Sequence, residues 1–449
     1  MSHPPTANLI LDYYDRLPEV VAARVHDPSP VTDPVAFSPG FRFPELDDGL
    51  REFFSVATAC WWQLGEHDSH RLQLLDLTRA PGTRTTKTLA SLLIVARAVE
   101  FIRQTGEPVL IFTPTSANKG TALRDAVQRA IRCGLVTPDQ LRIAIVAPAS
   151  CLPKLRGGLS TGDAALDPRR HPIFLYDGES PEGVKALARE FADRYAGKIG
   201  AHLWFSLELR NYLVADAARA FFEHDVAPTV GAAPRWHAHA VSSAFGLLGY
   251  NLGRDVLEER GMAEAAQRPG FLLVQHLDTP DMVLSLRRGG FDRSLLPTYR
   301  YGGGLYRQEA DPHFPAATFD PDEVLDPTFY SHAPATSPAM NELIARYGGD
   351  GVVVSLYECL QRYPQIRELL AATDRPVPAD PRRLREFSLV MALTGVLNAV
   401  QRRLVPDGTD LVVHASGSYT VDDYPPLAAA DTVPVRSVAD IAKVLLGTS

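Results

Sequence analysis

The stretch Arg79–Arg97, RAPGTRTTKTLASLLIVAR, places a single lysine where a loop turns into a helix. Pro81 and Gly82 interrupt the apolar run Leu72–Leu77. Thr83, Thr85 and Thr86 are residue types that cap backbone N–H groups, and Leu89, Leu92, Leu93 and Ala96 then recur at helical spacing. Lys87 therefore sits in or just before a first helical turn. There the positive end of the helix dipole disfavours an ammonium, and partial burial disfavours it further, so the amine is nucleophilic near neutral pH. Such an amine suits a Schiff base. A solvated lysine near a helix start is the alternative.

Around this loop, short strands alternate with helical patterns. Arg71–Leu77 alternates as a strand. Pro108–Thr113 (PVLIFT) is wholly apolar, as in strands buried on both faces of a parallel sheet, and is followed by PTSANKG and a helix Thr121–Cys133 ended by Gly134. Leu141–Val146, Ile173–Tyr176, Leu203–Phe205, Ala238–Val241, Phe271–Gln275 and Leu411–His414 read as further strands, with helical patterns at Val184–Tyr195 and Tyr212–His224. The alternation predicts an α/β fold with a parallel sheet covered on both faces. Residues 1–45, rich in Pro, Asp and Ser around a helical pattern Leu9–Val25, read as an N-terminal arm. Leu46–Leu64, with Trp61 and Trp62, reads as a helix. Residues 299–330 lack periodicity and read as an insertion or ordered loop.

A chain of 449 residues has room for two or three domains or one large α/β body, and its net charge of −8 without a Lys/Arg run argues against nucleic acid or an anionic membrane as partner. The apolar runs are shorter than a membrane span and MSHPPTANLI lacks the features of a signal peptide, so a cytoplasmic protein is expected. Cys60, Cys133, Cys151 and Cys359 form no CxxC pair, which argues against a zinc site or a disulfide framework; no metal is expected.

Three further loops stand at the carboxyl ends of strands, where α/β sheets bind ligands. In PTSANKG, the N–H groups of Ser116, Ala117 and Asn118 are placed to meet a carboxylate or ring oxygen; a capped helix start is the plainer alternative. VSSAFGLLGYNLG offers Ser242, Ser243 and Gly246 as a turn of small residues opening a helix, the arrangement that cradles a phosphate. VVHASGSYTVDDY puts Ser416, Gly417 and Ser418 at a strand end, where a hydroxyl partners a heterocyclic nitrogen or simply closes a turn.

The order of these pieces resembles the pyridoxal-phosphate (PLP) enzymes of the tryptophan-synthase-like fold (fold type II), and within them threonine synthase. TTK at 85–87 stands where that family has its S-F-K motif. PTSANKG at 114–120 resembles A-T-S-G-D-T-G, SSAFG at 242–246 resembles T-G-N-F-G, and TSPAM at 336–340 resembles L-S-P-A-M. FSLELRNY at 205–212 and LDTPDMVLSLRRGGF at 277–291 are weaker echoes of N-S-I-N-W-A-R and of the N-x-N-D-x-L segment. The resemblance spans roughly residues 55–425.

It implies two α/β lobes with parallel or mixed sheets and flanking helices, and a PLP cleft between them. Residues 46–104 and 201–449 would form a large PLP-binding lobe, and 105–200 a small mobile substrate lobe. Lys87 would be the catalytic Schiff-base lysine. Asn118 would hydrogen-bond the cofactor's phenolic oxygen, the loop Ser242, Ser243, Ala244, Phe245 and Gly246 would hold its phosphate, and Ser416 would face the pyridine nitrogen. Thr115, Ser116, Ala117 and Lys119 would bind substrate. The implied function is β- or γ-elimination or replacement on a small, activated amino acid by a homodimer; the alternative is a catalytically silent scaffold or binding protein. Departures cluster around the substrate: Thr88 replaces the aspartate after the lysine, Ala117 replaces a glycine, Lys119 replaces a threonine, and ASGSYTVDD lacks the lysine of T-G-x-G-L-K-D. They point away from O-phosphohomoserine as the substrate.

Overall fold

The computed structural model describes residues 3–156, 166–178, 180, 183–227, 233–329, 331–425 and 427–447. Its strands, in chain order, are β1 Thr6–Asn8, β2 Thr58–His67, β3 His70–Asp76, β4 Val109–Pro114, β5 Leu141–Pro148, β6 Ile173–Tyr176, β7 His202–Phe205, β8 Arg235–Ala240, β9 Gly270–His276, β10 Arg300–Gly302, β11 Leu305–Arg307, β12 Ala317–Thr318, β13 Gly349–Val354, β14 Asp410–Ala415 and β15 Val433–Val435. The chain divides into two compact units, one of Met1–Ala7, Thr58–Arg79 and Asp216–Val421, the other of Asn8–Ala57, Ala80–Ala215 and Asp422–Ser449.

The first unit is built on a seven-stranded sheet of order β1-β2-β3-β14-β8-β9-β13. Pairing is parallel from β3 through β13, and β2 runs antiparallel to β3 with a bulge between Gln63 and Gly65. The helix Ser388–Gln401 is apolar on almost every face and is buried over most of its length, as a helix packed into a core must be. Its Met391, Leu393, Val396 and Leu397 join Leu272, Val274, Val352, Leu411 and Val413 of the sheet in one core. Residues 299–330 carry the small antiparallel sheet β10-β11-β12, whose strands of two or three residues leave no periodicity to read.

The second unit holds a five-stranded sheet of order β15-β6-β5-β4-β7, all parallel. Every residue of β4 is buried, which is why this strand reads as one unbroken apolar run. Phe112, Phe174 and Phe191 join this core with the helices Gly183–Tyr195 and Val438–Leu446. No described helix is long and apolar enough to cross a membrane.

The expected helix Leu46–Leu64 is instead a short helix, Asp48–Phe54, capped by the Asp47 carboxylate, followed by β2. Trp61 and Trp62 lie in that strand, where adjacent bulky rings point to opposite faces of the sheet and both find packing partners. The strand β13 has no counterpart in the expectation because it opens on two glycines and an aspartate. Gly349 adopts φ +136°, and a Cβ there would stand 2.1 Å from the carbonyl oxygen of Phe271, so only glycine allows β13 to approach β9.

Candidate functional site

Lys87 is the first residue of the helix Lys87–Thr105, placed by the threonines around it. Thr83 and Thr88 join their hydroxyls at 2.5 Å, and Thr88 Oγ1 donates to the Thr85 carbonyl at 2.8 Å, which draws the loop tightly into the first turn. The Lys87 side chain is half-buried and its Nζ lies 5.5 Å from the ring centroid of Tyr212, on the helix Leu209–Asp216. Lys119 approaches the same ring at 5.9 Å and donates to the Ser206 carbonyl at 2.8 Å. Burial, reinforced by the charge of Lys87, brings the Lys119 ammonium down to about 7.

The PTSANKG segment joins β4 to the helix Asn118–Arg132. Thr115 Oγ1 accepts from the N–H groups of Ala117 at 3.2 Å and Gly120 at 2.8 Å, and its own N–H donates to the Val146 carbonyl at 2.9 Å. Ala117 is fully buried at φ 92°, ψ −62°, the geometry of a strained γ-turn. Ser116 and Asn118 flank it, both half-buried. An L-residue held in such a well costs about 1–3 kcal/mol. Ala117→Gly is therefore expected to raise stability, by about 1 kcal/mol after the extra chain entropy of glycine is subtracted. A higher urea midpoint with an unchanged slope would bear this out.

In the other unit, Ser242, Ser243, Ala244, Phe245 and Gly246 lie between β8 and the helix Phe245–Glu259. Ala244 takes a left-handed conformation at φ 51°, which turns the chain into the helix. Thr336 Oγ1 of the TSPAM segment donates to the Ser243 carbonyl at 2.7 Å, so two motifs far apart in sequence meet here. A Cβ at Gly246 would stand 2.6 Å from Arg219 Nη1, so glycine makes room for a guanidinium against this turn. Arg219 is fully buried; its Nε and Nη2 donate to Asp216 Oδ1 at 2.9 and 2.6 Å, and its Nη1 lies 3.0 Å from His414 Nδ1.

A guanidinium only donates, so His414 Nδ1 accepts and its Nε2 carries the proton. That nitrogen is 2.7 Å from His237 Nδ1, and His237 Nε2 is 3.3 Å from Glu223 Oε1. Burial pushes both imidazoles below their ordinary value, His414 strongly, so the hydrogen bonds run from Arg219 through neutral His414 to neutral His237, whose Nε2 faces Glu223. Arg235 and the Tyr250 hydroxyl also donate to Glu223. Two residues beyond His414, at the end of β14, Ser416 is buried, and Gly417 packs closely on the carboxylate of Glu386.

The sequence-expected residues thus fall into two sets: Lys87 and Thr115 to Lys119 in the second unit, Ser242 to Gly246 and Ser416 in the first. Sequence reasoning missed Tyr212 and Arg219. Tyr212 closes the FSLELRNY motif and could have been weighed there, whereas nothing local marks Arg219. A cavity of about 1070 Å³ lies elsewhere in the second unit, lined by Leu17, Val21, Phe41 and Arg51 among others, and includes none of these residues.

The sheets and helices are arranged as in the tryptophan-synthase-like fold, fold type II. Threonine synthase from Escherichia coli is similar with a TM-score of 0.54 over 98% of this chain and 81% of its own, at 16% identity. PLP-bound threonine synthase from Brucella melitensis gives 0.52 over 88% and 82%, at 12% identity. A fungal L-serine ammonia-lyase from Rhizomucor miehei gives 0.50 over 81% and 94%, at 14% identity. The chain belongs to DUF6002, described as a family of unknown function, whose model matches residues 5–449. No curated protein matches the sequence.

Proposed function

We propose that this protein is a PLP-dependent enzyme that eliminates or replaces a group at the β or γ carbon of a small, activated amino acid, with a substrate different from that of threonine synthase. The observation that carries it is Lys87: an amine at the first turn of a long buried helix, half-shielded against Tyr212, in a chain whose fold matches PLP enzymes over nearly its whole length. The donor set fits the cofactor. Lys87 would offer the amine for its aldehyde, the small-residue turn Ser242 to Gly246 would hold its phosphate, Asn118 would offer an amide to its phenolic oxygen and Ser416 a hydroxyl to its ring nitrogen.

Bound PLP would supply an electron sink for the substrate's α carbon. Lys87 would hold the cofactor and then move the α-proton. Ser416, being neutral, would leave the ring nitrogen unprotonated, which favours eliminations and replacements over transamination. Thr115, Ser116 and Ala117 would bind the substrate carboxylate at the start of the helix, with Lys119 beside them. The same proposal includes a cytoplasmic homodimer. Titrating the purified protein with PLP and then with candidate amino acids tests it: visible absorbance should appear with PLP and shift to longer wavelength with the right amino acid. Absence of any absorbance change with PLP would refute it.

A further inference from the structure

The sequence contains six lysines, Lys87, Lys119, Lys154, Lys185, Lys198 and Lys443, and two of them meet over one aromatic ring. Lys119 is only 8% exposed, and among the described residues no carboxylate pairs with it. The titratable or charged groups facing it are Lys87 from the helix Lys87–Thr105 and Tyr212 from the helix Leu209–Asp216; its one hydrogen bond goes to the neutral carbonyl of Ser206. A buried ammonium lacking a countercharge is costly, and a second ammonium nearby makes it costlier. A lysine whose role was only to pack or to bind an anion permanently would be better served by a paired carboxylate or by an arginine.

We propose that Lys119 is a second base of this site whose proton is coupled to Lys87, held less readily while Lys87 carries charge and more readily when Lys87 does not. Its use in turnover rests on Lys87 being the cofactor's lysine. While Lys87 is cationic, its charge favours the free-base form of Lys119. On its release Lys87 would pass its surplus proton to the free-base Nζ of Lys119, leaving Lys87 a neutral amine and Lys119 an ammonium held by the Ser206 carbonyl. Lys87 then stays unprotonated and ready to take a proton from substrate carbon. Lys119 is in this sense a positioning residue that acts through Lys87.

The test uses the full chain without added PLP, its lysines labelled with carbon-13 at Cε. Six signals are expected, the Lys119 signal being the one lost in Lys119→Met, and the pH dependence of that signal is followed by NMR. In the unsubstituted protein its midpoint should lie at about 7. In Lys87→Met, which removes the facing charge, the midpoint should rise by about one pH unit. In Lys87→Arg, which keeps a permanent cation, it should remain near that of the unsubstituted protein. A Lys119 midpoint near that of an ordinary lysine, or one equal in Lys87→Met and the unsubstituted protein, overturns the proposal. Melting temperatures of both Lys87 variants identify a misfolded one, and the other then decides. Because the titration needs no cofactor, its failure is distinct from a failure to bind PLP.

Discussion

Purified Lys87→Ala protein is expected to gain no visible absorbance on addition of PLP, while remaining as well folded as the parent. The loss should be complete, because under the proposed function the band would arise from a covalent bond to this amine and no hydrogen bond would substitute for it. Stability should change little. Lys87 occupies the first position of a 19-residue helix in which alanine has the highest propensity, so the backbone is undisturbed. The contact with Tyr212 is worth about 0.5–1 kcal/mol, which bounds the expected loss. Absorbance spectra and melting curves of Lys87→Ala and Lys119→Ala, recorded together, give the answer. If Lys119→Ala is the colourless variant and Lys87→Ala retains the band, the cofactor's lysine has been misassigned.

The second large effect is structural. Glu223→Gln should destabilise the protein by about 3–5 kcal/mol, the cost of breaking a buried ion pair from one side. Glu223 is 1% exposed and accepts from Arg235 and Tyr250, while His237 lies beside it; the amide would leave the Arg235 guanidinium buried against a neutral group. Burial alone would raise this carboxyl, but its interactions with His237, Arg235 and Tyr250 overcome it and hold the group at about 2, below its ordinary 4.5. A carboxyl lowered in the folded state contributes stability that is fully present above about 4.5 and is lost as pH falls toward about 2. Linkage gives about 3 kcal/mol for that difference, the same order as the substitution. Urea unfolding from neutral to acid pH should show the parent losing stability below about pH 4.5 more steeply than Glu223→Gln. Parallel acid profiles for the two proteins would remove Glu223 as a source of this stability.

Much of the fold could be read from local pattern. β4 and β5 are apolar runs because parallel strands are covered on both faces, and small-residue loops follow them because helices must start there. β13 escaped because its glycines serve close approach to β9, a requirement set by a strand distant in sequence. Trp61 and Trp62 were misread because apolar neighbours without clear alternation suit either period until the packing partners are known. The helix starts at Lys87, within PTSANKG and at SSAFG were legible because each follows a strand and opens with small or hydroxyl residues. Tyr212 and Arg219 were not. Their relevance lies in what they touch, Lys87 and Lys119 for one and the Gly246 turn for the other, and a contact between helices leaves no mark on either stretch of sequence.

The order of the five-stranded sheet bears on biosynthesis. Four of its strands have been synthesised once Phe205 has been added, but the fifth, β15, comes from the segment after Asp422 and pairs with β6 through Val433 opposite Phe174. Until that segment emerges, β6 presents an open edge and the helix Gly183–Tyr195 lacks its partner Val438–Leu446. An open apolar edge on a nascent chain is a site for wrong pairing, and closing so long a loop is slow. This unit must therefore mature after the intervening one has been synthesised, and premature termination before Val433 would release a chain prone to aggregate rather than a smaller folded protein.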